Sequence, residues 1–144
     1  MRRDQVTLVM LATGQGGGFT PVQIQKAMFL LTREAAELFD EGSVYHFEPY
    51  DYGPFDSSVY FDADGLARDG LATVAYGPGP RRYYATEAGI ARGEGILLAL
   101  PENLRKYISD VSTFVRTKSF SDLVAAIYRA YPEMRANSVF VDGK

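Results

Sequence analysis

Residues 66–89 read LARDGLATVAYGPGPRRYYATEAG, and this stretch does most to decide the fold. The Asp69-Gly70 pair is typical of the end of a helix, so the residues before it are predicted to be helical. Residues 71–76 have the composition of a strand. The run GPGP at residues 77–80 predicts a loop, and residues 81–85 return as a second strand. The stretch therefore predicts a helix that is followed by a β-hairpin.

Two further helices are predicted before this stretch. Residues 4–13 carry apolar side chains at helical spacing, and the run GQGGG at residues 14–18 ends that helix. Thr20 and Gln23 form a capping box at the start of a second helix, which is predicted to reach about residue 39. Its exposed face is predicted to carry Gln25, Arg33, Glu34 and Glu37.

Residues 44–48 are predicted to form a short strand or an extended segment that stops at Pro49. Pro54 is then predicted to open a third helix, because proline fits the first helical turn. Phe55 is expected in the core at the start of the inner face of this helix. The rest of that face carries Val59, Ala63 and Leu66.

The last third of the chain is predicted to be mostly helical. Thr86 caps a fourth helix, which its three glycines weaken. Two helices follow at about residues 101–117 and 119–131, and the tail from 133 to 144 is expected to be extended, with its VFV segment packed against the body. We therefore expect one compact unit, with a domain over residues 1–100 and a helical hairpin and tail over 101–144 packed on it.

The predicted order of helix, helix, strand, helix and hairpin is that of a winged helix-turn-helix. Residues 66–71 and 81–89 resemble the third helix, wing and following helix of PadR- and MarR-type regulators. Residues 21–30 (PVQIQKAMFL) and 52–55 (YGPF), followed by a helix containing Val59-Tyr60, resemble the Panacea antitoxin domain of small bacterial and phage proteins. The expected fold is α+β and mostly α, a winged helix with a small β-hairpin wing and two additional C-terminal helices.

Several kinds of chemistry are excluded by composition. The chain has no cysteine and one histidine, which excludes thiolate metal sites and sites built from several imidazoles. His46 and either Glu48 or Asp51 are residue types that can form an acid–base pair, but no nucleophile accompanies them. The favoured interpretation is a histidine on a half-buried strand. We expect a protein that is not an enzyme, with no catalytic residue, metal or cofactor.

Two short motifs are interpreted as structural. The GQGGG run lacks the glycine spacing of a dinucleotide loop and the Gly-Lys-Ser/Thr of a nucleoside-triphosphate loop, so it is interpreted as a flexible interhelix loop. Asp62 and Asp64 resemble a fragment of a calcium loop, but the glycine and the twelfth residue do not fit. They are interpreted as part of a solvated helix face.

The charge is distributed unevenly along the chain. Residues 1–72 hold 5 Lys/Arg and 11 Asp/Glu, whereas residues 73–144 hold 10 Lys/Arg and 7 Asp/Glu. Such halves suggest two different surfaces. No apolar run approaches the roughly 20 residues of a membrane span, and no clear leader cleavage site follows the first apolar run, so a cytoplasmic protein is expected.

The acidic half also concentrates the aromatic residues. Residues 45–61 hold 7 of the 19 aromatic residues. Aromatic anchors beside carboxylates suit a protein interface, although core packing explains them equally well. The leading hypothesis is an antitoxin-like or adaptor-like protein that binds a partner protein, such as a toxin, through Tyr50, Tyr52, Tyr60, Phe61 and Asp64.

The alternative hypothesis is a transcriptional regulator that binds double-stranded DNA. Arg81 and Arg82 on the predicted wing, with Arg68 on the third helix, would contact phosphates or a minor groove. Four aspartates on that short helix, against a single arginine, oppose its entry into a groove lined with phosphates. A homodimer is also predicted, since PadR- and MarR-type proteins pair through terminal helices. Phe114 and Tyr128 would lie in or beside its interface, and close packing within one chain is the alternative.

Overall fold

The computed structural model describes residues 1–141 and has an α+β fold that is mostly helical. Its strands form two separate antiparallel hairpins. The regular elements, in chain order, are α1 (Arg3–Thr13), α2 (Pro21–Glu34), β1 (Glu48–Tyr50), β2 (Gly53–Phe55), α3 (Ser58–Arg68), β3 (Ala72–Ala75), β4 (Arg82–Ala85), α4 (Glu87–Ala99), α5 (Glu102–Thr117) and α6 (Phe120–Ala130).

Helix α1 is the centre of the core, and α3, α4 and α5 pack around it. Seven successive residues of α1 are buried, from Val6 to Ala12. Gly89 and Gly93, one turn apart on α4, are buried, and a β-carbon at Gly93 would collide with that of Ala12. These glycines were expected only to weaken α4, but two of them allow it to approach its neighbours closely.

Helix α2 begins as predicted and ends earlier. Thr20 and Gln23 form the capping box, with the Gln23 amide donating to Thr20 Oγ1 at 3.3 Å. The helix ends at Glu34 rather than near residue 39, because Ala35 leaves the helical region and Ala36–Leu38 form a single 3-10 turn. The amino terminus holds this turn by donating to the carbonyl of Leu38 at 2.9 Å.

The prediction for residues 44–55 is wrong in detail. The first strand begins at Glu48 rather than ending there, and it pairs with β2, with Tyr50 opposite Gly53. The tight turn is possible because Gly53 has a φ of +108°, a backbone angle that residues other than glycine rarely adopt. Pro54 therefore lies in a strand, and α3 starts only at Ser58.

The second hairpin and the helix after it are confirmed. Strands β3 and β4 pair in register from Ala72–Ala85 to Ala75–Arg82, and Thr86 caps α4 by accepting from the Gly89 amide. The loop over residues 14–18 lies between helices, as predicted. It leads into Phe19, which exchanges two backbone hydrogen bonds with Tyr83 and so adds a bridge beside the hairpin.

The two C-terminal helices are also confirmed, and Ser119 caps α6 as predicted. Helix α5 packs on α2, and α6 contacts β2. After a 3-10 turn at Pro132–Arg135 the tail runs back beside the first hairpin, where the Val139 amide donates to the Asp51 carbonyl at 2.9 Å. Within the VFV segment only Phe140 is partly buried, and residues 142–144 of the predicted tail lie outside the described part of the chain.

No helix within residues 1–141 combines the length and the apolar character that crossing a membrane requires.

Candidate functional site

The five residues predicted to bind a partner are divided between two places. Tyr50 and Tyr52 lie on the first hairpin and are 55 % and 43 % exposed. Phe61 and Asp64 are exposed on α3. Tyr60, also on α3, is half-buried and lines the same cavity as the two hairpin tyrosines. The structure therefore brings three of the five together and leaves Phe61 and Asp64 outside this cavity.

This cavity, which we call the Lys26 pocket, lies between α2, the first hairpin and α3. Its volume is about 190 Å³. The Tyr50 ring stacks on Phe55 with centroids 5.0 Å apart, and Phe55 meets Tyr60 edge to face at 5.7 Å. Phe55 is only half-buried, so its predicted place in the core is corrected. The lining residues are Val22, Gln25, Lys26, Tyr50, Asp51, Tyr52, Gly53, Pro54, Phe55 and Tyr60.

Lys26 supplies the only ammonium among the residues that line this pocket, and its side chain is almost completely buried. It is 3 % exposed, and its Nζ donates to the carbonyl of Tyr52 at 2.5 Å. Among residues 1–141, no carboxylate lies within the 4.0 Å of an ion pair with it. Burial of the charge lowers the pKa of Lys26 to about 8.

Gln25 fixes the other side of the pocket, although the sequence placed it on the exposed face of α2. It is 2 % exposed. Its amide nitrogen donates to the Asp56 carbonyl at 2.9 Å, and its Oε1 accepts from the Asp56 amide at 3.0 Å. The signal that was available is the polar pair Gln25-Lys26 inside the otherwise apolar run from 24 to 31.

The aromatic surface continues from the pocket towards α6. The ring of Tyr52 meets Phe120 edge to face, with centroids 5.1 Å apart, and Phe120 is 46 % exposed. Phe120 was not among the predicted site residues, because its neighbours in sequence belong to a different helix. We call Tyr50, Tyr52 and Phe120 together the aromatic face.

Arg81, one of the three arginines predicted to contact DNA, is engaged within the protein. Its guanidinium carbon lies 4.8 Å from the centre of the Tyr60 ring, and its Nε donates to the Tyr83 hydroxyl at 2.7 Å. Tyr60 and Tyr83 are stacked with parallel rings. Arg82 and Arg68 are exposed.

Asp62 is not part of a solvated helix face, and that interpretation is corrected. It is 8 % exposed, accepts a hydrogen bond from the Tyr45 hydroxyl at 2.6 Å and forms an ion pair with Arg3 at 2.9 Å. Thr7 Oγ1 lies 2.7 Å from the same hydroxyl. Burial raises the pKa of Asp62 even though these partners oppose the rise. The cluster joins α1 to α3 and is structural.

His46 lies outside the strands, and its side chain is exposed rather than half-buried. Its backbone amide donates to the carboxylate of Asp56 at 2.7 Å. Within residues 1–141, no side-chain hydrogen bond or ion pair joins it to Glu48 or Asp51. The geometry therefore gives no support to the acid–base pair that the residue types suggested.

The two aromatic residues predicted at a dimer interface have different surroundings. Phe114 is half-buried beside a shallow apolar cavity of about 280 Å³ between α5 and α6. Tyr128 is 4 % exposed, and its hydroxyl donates to Ser138 Oγ at 2.6 Å under the returning tail. Tyr128 is therefore covered by its own chain, so that it could lie beside the predicted dimer interface but offers it little exposed surface.

Comparison with known proteins returned no match: no protein family, no curated protein and no solved structure matches this chain.

Proposed function

We propose that this chain is a non-enzymatic interaction protein on a winged-helix scaffold, of antitoxin or adaptor type. It would act in the cytoplasm of a bacterium or in cells infected by a phage. It would bind a partner protein, such as a toxin, through the aromatic face. The observation that carries the proposal is the exposure of Tyr50 and Tyr52 on a cavity that the buried Lys26 also lines, with the exposed Phe120 packed against Tyr52. Exposed aromatic residues beside a pocket are typical of the anchors of protein interfaces.

The DNA-binding alternative has less support. Arg81 already stacks on Tyr60 and donates to Tyr83, so moving it onto a phosphate would break two internal contacts. Arg82 and Arg68 are exposed, but α3 also exposes Asp64. Two exposed arginines offer few of the phosphate contacts that support duplex binding.

Affinity capture tests the proposed function. Tagged wild-type protein and the double variant Tyr50→Ser/Tyr52→Ser are incubated with lysate of the source cells, and retained proteins are quantified by mass spectrometry. We expect a specific protein that is retained by the wild type and reduced at least tenfold by the double variant.

The matched control is Tyr76→Ser, which removes an 81 % exposed tyrosine from the second hairpin. It should retain the same protein as the wild type. Equal retention by wild type and double variant would contradict the proposal, and so would retention that is lost with both variants.

A further inference from the structure

The Lys26 ammonium has hydrogen-bonding capacity that its surroundings do not use. An ammonium carries three N–H donors. Among residues 1–141, the Tyr52 carbonyl is its one hydrogen-bond acceptor. Buried charges are normally paired, because an uncompensated charge is costly to remove from water. Lys26 lines an open pocket, and its ammonium has no ion-pair partner among residues 1–141, which indicates that a charged partner comes from outside the chain.

We propose that the Lys26 pocket binds the side-chain carboxylate of an aspartate or glutamate of the partner protein, with the apolar residues beside it packing on Tyr50 and Tyr52. This inference rests on the proposed function and specifies the group that the partner inserts. The carboxylate would accept from the two N–H groups of Lys26 that do not face the Tyr52 carbonyl.

The size of the pocket favours one side chain. Small-molecule sites usually have volumes of about 300–1,000 Å³. The Lys26 pocket, at about 190 Å³, is smaller than these. Its mouth carries exposed tyrosines, which can pack against the chain on either side of the inserted residue.

The charge of the pocket favours a singly charged anion. Among residues 1–141, Lys26 is the only cationic side chain that lines it, and the exposed Asp51 also belongs to its lining. A phosphate carries a charge of about −1.5 to −2 at pH 7 and is usually held by several cationic groups. A carboxylate matches the single ammonium and faces less repulsion from Asp51.

The geometry of the hairpin keeps the ammonium in place. A β-carbon at Gly53 would lie 3.5 Å from Lys26 Nζ and 3.4 Å from the Tyr128 ring, so the glycine leaves room between the two. Its φ of +108° also turns the preceding Tyr52 carbonyl onto the ammonium. Lys26 is thereby positioned before any partner binds, which reduces the cost of binding.

Blocked tripeptides test the proposal by nuclear magnetic resonance on protein with isotope-labelled lysine. Ac-Phe-Glu-Phe-amide carries the side-chain carboxylate, and Ac-Phe-Gln-Phe-amide is its neutral isostere. We expect the glutamate peptide to shift the Lys26 Cε signal saturably, with a Kd of about 1 mM, and the glutamine peptide to bind at least about tenfold more weakly. This comparison uses only wild-type protein and so does not depend on a variant folding.

Two lysine variants test whether the preference for the glutamate peptide depends on Lys26. In Lys26→Met the glutamate and glutamine peptides should bind equally weakly. Lys118→Met, a change in the neighbouring cavity, should leave the preference for glutamate unchanged. Equal binding of the two peptides to wild type, or a preference that survives in Lys26→Met, would overturn the proposal.

Two further peptides identify the source of the anion. Tighter binding of Ac-Phe-phosphoserine-Phe-amide, or of Ac-Phe-Phe with a free carboxyl terminus, would overturn the assignment to an acidic side chain. The affinity capture separates this inference from the proposed function. If the Tyr50/Tyr52 variant loses the partner but Lys26→Met retains it fully, the interaction stands and the carboxylate anchor fails.

Discussion

The ammonium of Lys26 on α2 donates to the carbonyl of Tyr52 at the turn between β1 and β2, at a distance of 2.5 Å. This bond joins the helix segment over residues 21–30 to the YGPF turn over residues 52–55. It also places the charge of Lys26 below an aromatic surface rather than in solvent. The stability of the protein should therefore depend on the protonation of this one group.

Replacing Lys26 by methionine should change the pH dependence of unfolding. The pKa of Lys26 falls from 10.5 to about 8 in the folded protein. The unfolded chain therefore binds the proton more tightly, and wild-type stability gains from this group as the pH rises from 8 to 10.5. Relative to Lys26→Met, the free energy of unfolding of the wild type should rise by on the order of 3 kcal/mol across that range.

Urea unfolding at pH 7, 8, 9 and 10 measures this difference. The tyrosines titrate in both proteins, so their contributions cancel in the difference. Gly95→Ala is the control, since it changes no titratable group, and its difference from wild type should stay constant. A constant difference for Lys26→Met as well would contradict the lowered pKa.

Two glycines of α4 should respond oppositely to alanine. Gly95 has open space around it, so Gly95→Ala should stabilise the helix by up to about 1 kcal/mol. Gly93→Ala would drive its β-carbon into that of Ala12, so it should destabilise the protein by about 1–3 kcal/mol. Thermal unfolding of both variants measures the two signs, and stabilisation by Gly93→Ala would refute the close packing of α4 on α1.

Local signals in the sequence predicted much of the fold. Short sequence motifs predicted the helix caps at Thr20, Thr86 and Ser119, and all three side chains accept the expected backbone hydrogen bonds. The first hairpin was missed because Gly53 adopts a positive φ, and a proline on either side of the turn favours a loop or helix start equally well.

The candidate site was only partly predictable for a different reason. Exposed tyrosines could be suggested from their density in the sequence. The burial of Gln25 and Lys26 depends on the hairpin folding back over α2, which is a tertiary contact. Likewise, Asp62 was assigned to the surface because it is charged. Its helical spacing places it beside Val59 and Leu66, and the partners that make its burial possible, Tyr45 and Arg3, are distant in sequence.

Removing the Asp62 carboxylate should be costly. Asp62→Ala removes the carboxylate that accepts from the Tyr45 hydroxyl and leaves Arg3 without its ion pair, so it should lower the free energy of unfolding by about 2–4 kcal/mol. Asp62→Asn keeps an acceptor for Tyr45 and should cost less. The control Asp64→Ala, at an exposed position on the same helix, should stay within about 0.5 kcal/mol of wild type in urea unfolding. Equal effects at positions 62 and 64 would argue against the buried cluster.

Substitutions of Arg81 and Arg82, the two neighbouring arginines of the second hairpin, should distinguish an effect on stability from an effect on DNA binding. Arg81→Ala removes the contact with Tyr60 and the hydrogen bond to Tyr83, so it should destabilise the protein by about 1–2 kcal/mol. Arg82→Ala, at an exposed position, should be nearly neutral. Thermal unfolding measures both effects. Duplex binding that both variants weaken without loss of stability, and that added salt weakens steeply, would instead favour the DNA-binding alternative.

The surface between α5 and α6 should form the interface of a homodimer. Tyr107, Phe114 and Tyr131 remain half-buried around the apolar cavity on this surface, although Ile108, Val111 and Val115 of α5 are buried within the chain. A second copy would cover these aromatic rings. Sedimentation equilibrium at micromolar concentration should give twice the 15.9 kDa of one chain, and Phe114→Glu should shift the protein towards the monomer. Phe61→Glu, at an exposed position on α3 that does not line this cavity, is the control and should leave the mass unchanged. A wild-type mass near 15.9 kDa would show instead that packing within one chain is sufficient.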